Sequence, residues 1–307
     1  MQNKKLIILI VILLFCGFCF VMLLAGLGGA WWYTSRERIS TPVSPIYAPE
    51  ITRVVETTQS ADEIPPTATS LPPTESPTTV PATAEPTPNI DFNGIRFYLD
   101  LQLAQGVLPE LVPAALGNAE EAFPGSVHPE YTQFTLQGYV LSGTFHDPRL
   151  YIYPLNEYRA IDRSVDENAD LLLHLLTNRP SNVTQLPFLP LWNAASMIQT
   201  KLSFLDFKNG SGLRYLTQFG QDVAPINNQA LFYTYQGITA DQRWYVAAIL
   251  PVAHPSLPAN AAVAGWDIAD PTSYFAQIEA QLNAETDATF TPSLTLLDAL
   301  IASLRVW

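Results

Sequence analysis

Four histidines, His128, His146, His174 and His254, are scattered along the 307 residues, and no HExxH places two of them one helical turn apart. The spacing therefore supplies no zinc ligand set, and neither a metal nor another cofactor is expected. There is no GxSxG nucleophile elbow. The two cysteines, Cys16 and Cys19, lie in the first apolar segment, so no thiol nucleophile and no disulfide are available beyond it. Gly210, Ser211 and Gly212 lack the lysine and the following helix of a phosphate cradle and read as a hairpin turn. The remaining route to catalysis is a hydrolase site in which Asp147 or Asp222 meets His146 or His254. That pairing would need the fold to bring an acid and a base within hydrogen-bond reach in a cleft. The bland reading is that His174 belongs to an amphipathic helix face and that His146 and His254, beside prolines, are loop residues.

A second pattern points to binding. The stretch 186–193 reads LPFLPLWN and carries more large apolar groups than a solvent-exposed loop tolerates. Phe188 and Trp192 are its candidate contact residues. Asn227, Asn228 and His254 are candidate hydrogen-bonding partners in loops expected beside it. Two readings stay open here: the loop is a ligand-binding patch, or it folds down as a lid on the core. Asn227 and Asn228 likewise serve a ligand or simply close a turn.

These residues must be positioned by the elements around them, and the organising one is a hairpin over 229–252. Tyr233 and Tyr235 alternate with Phe232, Thr234 and Ile238, while Trp244, Val246, Ala248 and Leu250 alternate with Tyr245, Ala247 and Ile249. Strands apolar on both faces are expected in a sheet covered on both sides. A strand is expected near Ile95, Phe97 and Leu99, two more over 131–145 and 149–153, and a hairpin over 197–208 and 213–219. One long helix carries Tyr158, Ile161, Val165, Leu172, Leu175 and Leu176 on one face, with Asn156 as its cap. Two later helices open on Asp270–Pro271 and Thr291–Pro292, proline at the first helical position in each. No long element is expected over 107–116.

The 6–30 stretch has no charge and is long enough to span a bilayer. Lys4 and Lys5 precede it and Trp31, Trp32 and Tyr33 follow it, which predicts a single-pass anchor at the cell membrane with the C-terminal domain outside. A cleaved signal peptide, with Gly28 and Ala30 before the cut, is the rival. Proline, threonine and serine dominate 40–90, a disordered stalk with little apolar surface to offset its ordering entropy. The organisation expected is thus an anchor at 1–39, a linker at 40–90 and one α+β domain at 91–307. With 28 acidic against 15 basic side chains and a net charge of -13, the chain does not suit nucleic acid, which needs clustered Lys and Arg.

The order of strand, paired strands, helix, four strands and closing helix, ending in LLDALIASLRV, resembles the PsbP-like fold. That resemblance implies an antiparallel sheet between helical layers, an α/β/α sandwich, in an extracytoplasmic protein that binds or assists larger assemblies and is not an enzyme. RYLTQFGQ and PINNQALFYTYQG also resemble segments of bacterial surface proteins of unassigned activity. The expected function is a membrane-tethered, non-catalytic binding or accessory module for a surface protein or polymer; the alternative is a cell-surface hydrolase.

Overall fold

The hairpin over 229–252 occupies the middle of the sheet that dominates the computed structural model. The structure describes residues 86–119, 121–265 and 268–307, all within the unit Thr79–Trp307. The expected span at 6–30 and the linker residues 40–85 lie outside them. Among the described residues no helix is long and apolar enough to cross a membrane.

Seven antiparallel strands run in the order β3-β4-β5-β11-β10-β8-β7. They are β3 (Gly106–Val112), β4 (Tyr131–Gln137), β5 (Arg149–Pro154), β7 (Thr200–Phe207), β8 (Gly210–Thr217), β10 (Phe232–Thr239) and β11 (Trp244–Pro251). Tyr235 opposes Ala248 and Arg214, and Tyr245 opposes Tyr153, so the central hairpin is paired on both of its outer edges. A smaller sheet joins β1 (Ile90–Phe92), β2 (Ile95–Phe97) and β12 (Arg305–Val306), and β6 (Ala195–Ser196) pairs with β9 (Phe219–Gly220).

The alternation in the hairpin translates directly into two cores. Tyr233, Tyr235, Val246, Ala248 and Leu250 pack with the later helices, α4 (Pro271–Ala284) and α5 (Leu294–Ser303), and with the small sheet. Phe232, Ile238, Tyr245, Ala247 and Ile249 pack with α1 (Leu155–Ile161) and α2 (Arg163–Asn178) on the opposite face. A short α3 (Ala261–Ala264) lies in the loop between β11 and α4. On the first face Arg214, almost fully buried, bonds Asp287 at 2.6 Å and approaches Asp298 of α5 at 3.3 Å, while Lys201 reaches Asp287 at 2.8 Å. Tyr233 donates to the same Asp298 at 3.0 Å. A buried charge left unpaired would be costly, so this network fixes where the closing helix docks.

Several expectations are corrected. The single long helix is two: Asp162 breaks it, and its carboxylate caps α2 by accepting from Ser164 N at 2.8 Å, while Asn156 caps nothing. Ser293, and not Thr291, caps α5. Asp270 caps α4 through Ser273 N, with Pro271 at the first position as the sequence implies. The strand expected to run to 145 ends at Gln137, where Gly138 takes a positive φ of 61° and the chain leaves the sheet. Residues 107–116 do contain an element, the edge strand β3. Gly210 and Gly212 are strand residues, because the turn is made by Lys208 and Asn209. A Cβ on Gly212 would collide with the Tyr235 ring and with Gln236 O, so glycine there makes room for the tyrosine.

Candidate functional site

The loop after α2 is pinned before it reaches the site. Buried Gln236 of β10 accepts from Leu189 N at 2.8 Å and donates to Leu189 O at 3.1 Å. Asn168 accepts from Phe188 N and Tyr215 donates to Pro187 O. Each polar group of this buried stretch thus has a partner, and Phe188 is 8 % exposed: it folds down as part of the core. Trp192, three residues beyond the pinned Leu189, stays half-buried.

Around Trp192 the chain assembles a cluster of rings from four distant places. Phe188 and Phe219 lie 4.3 Å apart, Trp192 and Phe219 5.3 Å, and Trp192 and Phe232 5.7 Å. His146 stacks on Trp192 at 4.6 Å with only 11° between the planes. His146, Trp192 and Phe219 border an open cleft of about 920 Å³, with Phe188 and Phe232 packed behind them. Its floor is the sheet at Tyr151 and Ile249; one wall is Phe145, His146 and Asp147, and the other runs from Trp192 to Ala194 and from Phe219 to Asp222. Phe145 is 76 % exposed. The β6–β9 pair and a bond from Gln221 Nε2 to Asn193 O at 2.9 Å hold the second wall together.

The charges of the cleft are few. Burial lowers the His146 pKa to about 4, a trend that nearby Asp147 partly opposes, so the ring is a neutral imidazole near pH 7. Asp147 is bonded to Arg149 at 2.7 Å. His146 makes ring contacts with Phe145, Trp192 and Phe232, and its side chain has no carboxylate bonded to it. The His146–Asp147 and His146–Asp222 pairs line one cleft without forming an acid–base couple.

Asn227, Asn228 and His254 gather separately. Asn227 is buried; its Oδ1 accepts from Gln229 N and Ala230 N and its amide donates to Pro225 O, which is the turn role. Asn228 donates to His254 O and Leu257 O, tying the two loops. His254 is 3 % exposed. Its Nδ1 accepts from Ser256 N at 3.3 Å, which places the ring proton on Nε2. The exposed Ser256 hydroxyl lies 2.7 Å from Nδ1, while Nε2 faces Thr289 Oγ1 at 3.1 Å and Glu285 Oε2 at 3.6 Å. Ser256 opens on a second cleft, of about 570 Å³, against α4.

Of the five residues singled out from sequence, Phe188 and Trp192 therefore join one site, and the other three form a hydrogen-bonded knot beside another. Sequence reasoning did not single out Phe145 or Phe219. Phe145 fell within the strand expected over 131–145, and its exposure on the rim of a cleft depends on residues far away in the chain. Among the described residues no three His, Cys, Asp or Glu side chains are placed to hold a metal ion. No protein-family model, no curated protein and no solved structure matches the chain.

Proposed function

We propose that this chain is a membrane-tethered, extracytoplasmic binding module that holds a segment of a surface protein or polymer in the cleft beside Trp192. One observation carries the reading: a cleft of about 920 Å³ whose rim leaves Phe145 76 % exposed next to a half-buried tryptophan. Large apolar side chains held open to water beside a few polar groups, here Asn193, Gln221 and Asp147, are what a ligand with a flat apolar face would cover. His146 presents its ring to Phe145, Trp192 and Phe232, an aromatic surface that supports binding in this cleft. A sheet with helices packed on each face supports kinship with the PsbP-like α/β/α sandwich. The uncharged run at 6–30 between basic and aromatic flanks supports the anchor.

The test uses Phe145→Ala. An exposed side chain contributes within about 0.5 kcal/mol to folding, so this variant leaves stability intact. It should lose retention on isolated cell-wall polymer and on surface-protein fractions that hold the unaltered chain. Equal retention of both would refute the cleft as the site. Protease added to intact cells should release the domain; a mature chain beginning at Trp31 would instead mean cleavage and secretion.

A second reading, a hydrolase, is favoured by the Ser256–His254–Glu285 arrangement alone. The Ser256 hydroxyl points at the unprotonated nitrogen of a buried imidazole whose other side faces a carboxylate, the order of groups that activates a serine. A fluorophosphonate probe should then label the chain and fail to label Ser256→Ala. No labelling of the unaltered chain removes this reading.

A further inference from the structure

Beside the cleft lies a smaller pocket, some of whose polar groups the fold leaves without a partner. Arg149, Tyr151 and Tyr153 follow one another at every second position of β5 and so share a face of the sheet; Tyr131 and Gln133 of β4 lie beside them on the same face, Gln133 opposite Tyr151. Tyr158 of α1 and Pro190 of the pinned loop close the space from above. The tyrosine rings lie 4.7 Å (Tyr131 to Tyr153) and 5.1 Å (Tyr153 to Tyr158) apart, and the enclosed volume is about 170 Å³.

The hydroxyls decide what this pocket is for. Elsewhere in the core each buried tyrosine spends its hydroxyl on a protein group: Tyr215 on Pro187 O, Tyr233 on Asp298, Tyr235 on Leu205 O and Tyr245 on Gln236. Tyr153 and Tyr158 are 2 % and 1 % exposed, yet their hydroxyls bond no protein group and border the pocket. Arg149 Nε is buried and also unpartnered, while the same guanidinium is held by Asp147 through Nη2. A buried guanidinium nitrogen without a partner is uncommon in a folded protein, because it costs its full desolvation, and the two phenol hydroxyls, not fully sealed from the pocket, are left available to a ligand. No carboxylate lines the pocket; its polar lining is four phenols, the Arg149 guanidinium, His128 and Gln133, the last already bonded to Glu110. Desolvation raises the tyrosine pKa values, so these phenols remain donors near neutrality.

We propose that the pocket between β4, β5 and α1 binds a small oxyanion, with the Tyr153 and Tyr158 hydroxyls and Arg149 Nε as its donors. The shared chemistry is an anionic oxygen pair or triad, which a carboxylate and a phosphate both present. The site is distinct from the open cleft, although Arg149 and Tyr151 line both. It goes beyond the binding function proposed above and does not rest on it.

The purified full chain is titrated with sodium acetate and with inorganic phosphate, using calorimetry and thermal unfolding, with sodium chloride at matched ionic strength as control. Saturable heat and a rise in unfolding temperature with acetate or phosphate, absent with chloride, are expected; which of the two binds tighter identifies the source. Tyr153→Phe with Tyr158→Phe keeps the rings and removes the donors, so affinity should fall at least tenfold. Tyr139→Phe, which removes a buried hydroxyl bonded to Pro251 O outside the pocket, should leave it unchanged. If the double variant does not fold, Tyr158→Phe alone and Arg149→Gln give the same reading. No saturable response to either anion, meaning a pocket filled by water only, overturns the proposal, as does unaltered affinity in the phenylalanine variants. Phe145→Ala should bind the anion normally, so failure of the cleft reading and failure of this one are told apart.

Discussion

Acidification should weaken this fold through one imidazole, and the size of the effect follows from the His146 environment. The ring is stacked on Trp192 and set edge-on to Phe145 and Phe232, and burial brings its pKa from the usual 6.5 to about 4. The folded pKa is the lower one, so the unfolded chain takes up the proton first as pH falls. Stability is therefore complete above about pH 6.5, declines between about 6.5 and 4, and loses nothing further from this group below that. The full difference corresponds to about 3 kcal/mol, and screening of the solvent-facing part of the ring reduces it to about 2 kcal/mol.

Acid protonates many groups of the chain, so the measurement must be differential. His146→Phe keeps an aromatic ring against Trp192 and carries no proton. Urea unfolding of both chains at about pH 7.5 and about pH 4.5 should show the unaltered chain losing about 2 kcal/mol more than the variant. If the two lose the same amount to within about 0.5 kcal/mol, His146 is not held neutral by burial and the stacked geometry is wrong.

Three further outcomes are expected. Gly212→Ala should lower the unfolding free energy by about 2–3 kcal/mol in denaturant titrations, since its Cβ would meet the Tyr235 ring and Gln236 O. Arg214→Met should cost about 3–5 kcal/mol by stranding Asp298 and part of Asp287, and Asp298→Asn in the same background should recover some of that loss. A chain starting at Pro86 should unfold at the same urea concentration as one starting at Ser40. One starting at Ile90 should be weaker by about 1–3 kcal/mol, because Asn89 bonds both Leu99 N (2.8 Å) and Leu99 O (2.9 Å).

The Asn89–Leu99 bonds behind that last contrast leave no local mark in the sequence, unlike several other features. The central hairpin was legible because burial on both faces imprints a period of two on each set of side chains. The caps of α4 were legible because Asp followed by Pro has a local mechanism. The break at Asp162 was not, since Tyr158, Ile161 and Val165 stay in helical phase across it. Nor was β3, an edge strand whose Leu108 and Leu111 remain exposed and whose Pro109 argues against pairing. Asn227 was read as a turn residue or a ligand contact, and its bonds are those of a turn. The cleft was the least legible feature: Phe145 and Trp192 come from two loops and Phe219 from the short strand β9, and nothing local marks that they meet.

The position of the cleft follows from unequal cover of the two sheet faces. On one face α4, α5 and the small sheet pack over Tyr233, Tyr235, Val246, Ala248 and Leu250, and Arg214 with its two aspartates ties that layer down. On the other, α1 packs on β5 and β11 and α2 on β8 and β10, while Arg149, Tyr151 and Ile249 form the floor of open space. The pinned loop fills part of that gap with Phe188 and Leu189, both bound by backbone hydrogen bonds that a mobile lid would have to break. Trp192 lies beyond those bonds and is held by ring contacts alone, with His146, Phe188, Phe219 and Phe232. A ligand entering the cleft therefore meets a floor and inner wall set by the sheet and a rim of Phe145 and Trp192; binding should shift signals from these two rings while leaving those of the Gln236 amide and Leu189 N–H in place, and a shift of the latter pair would mean that the loop itself opens.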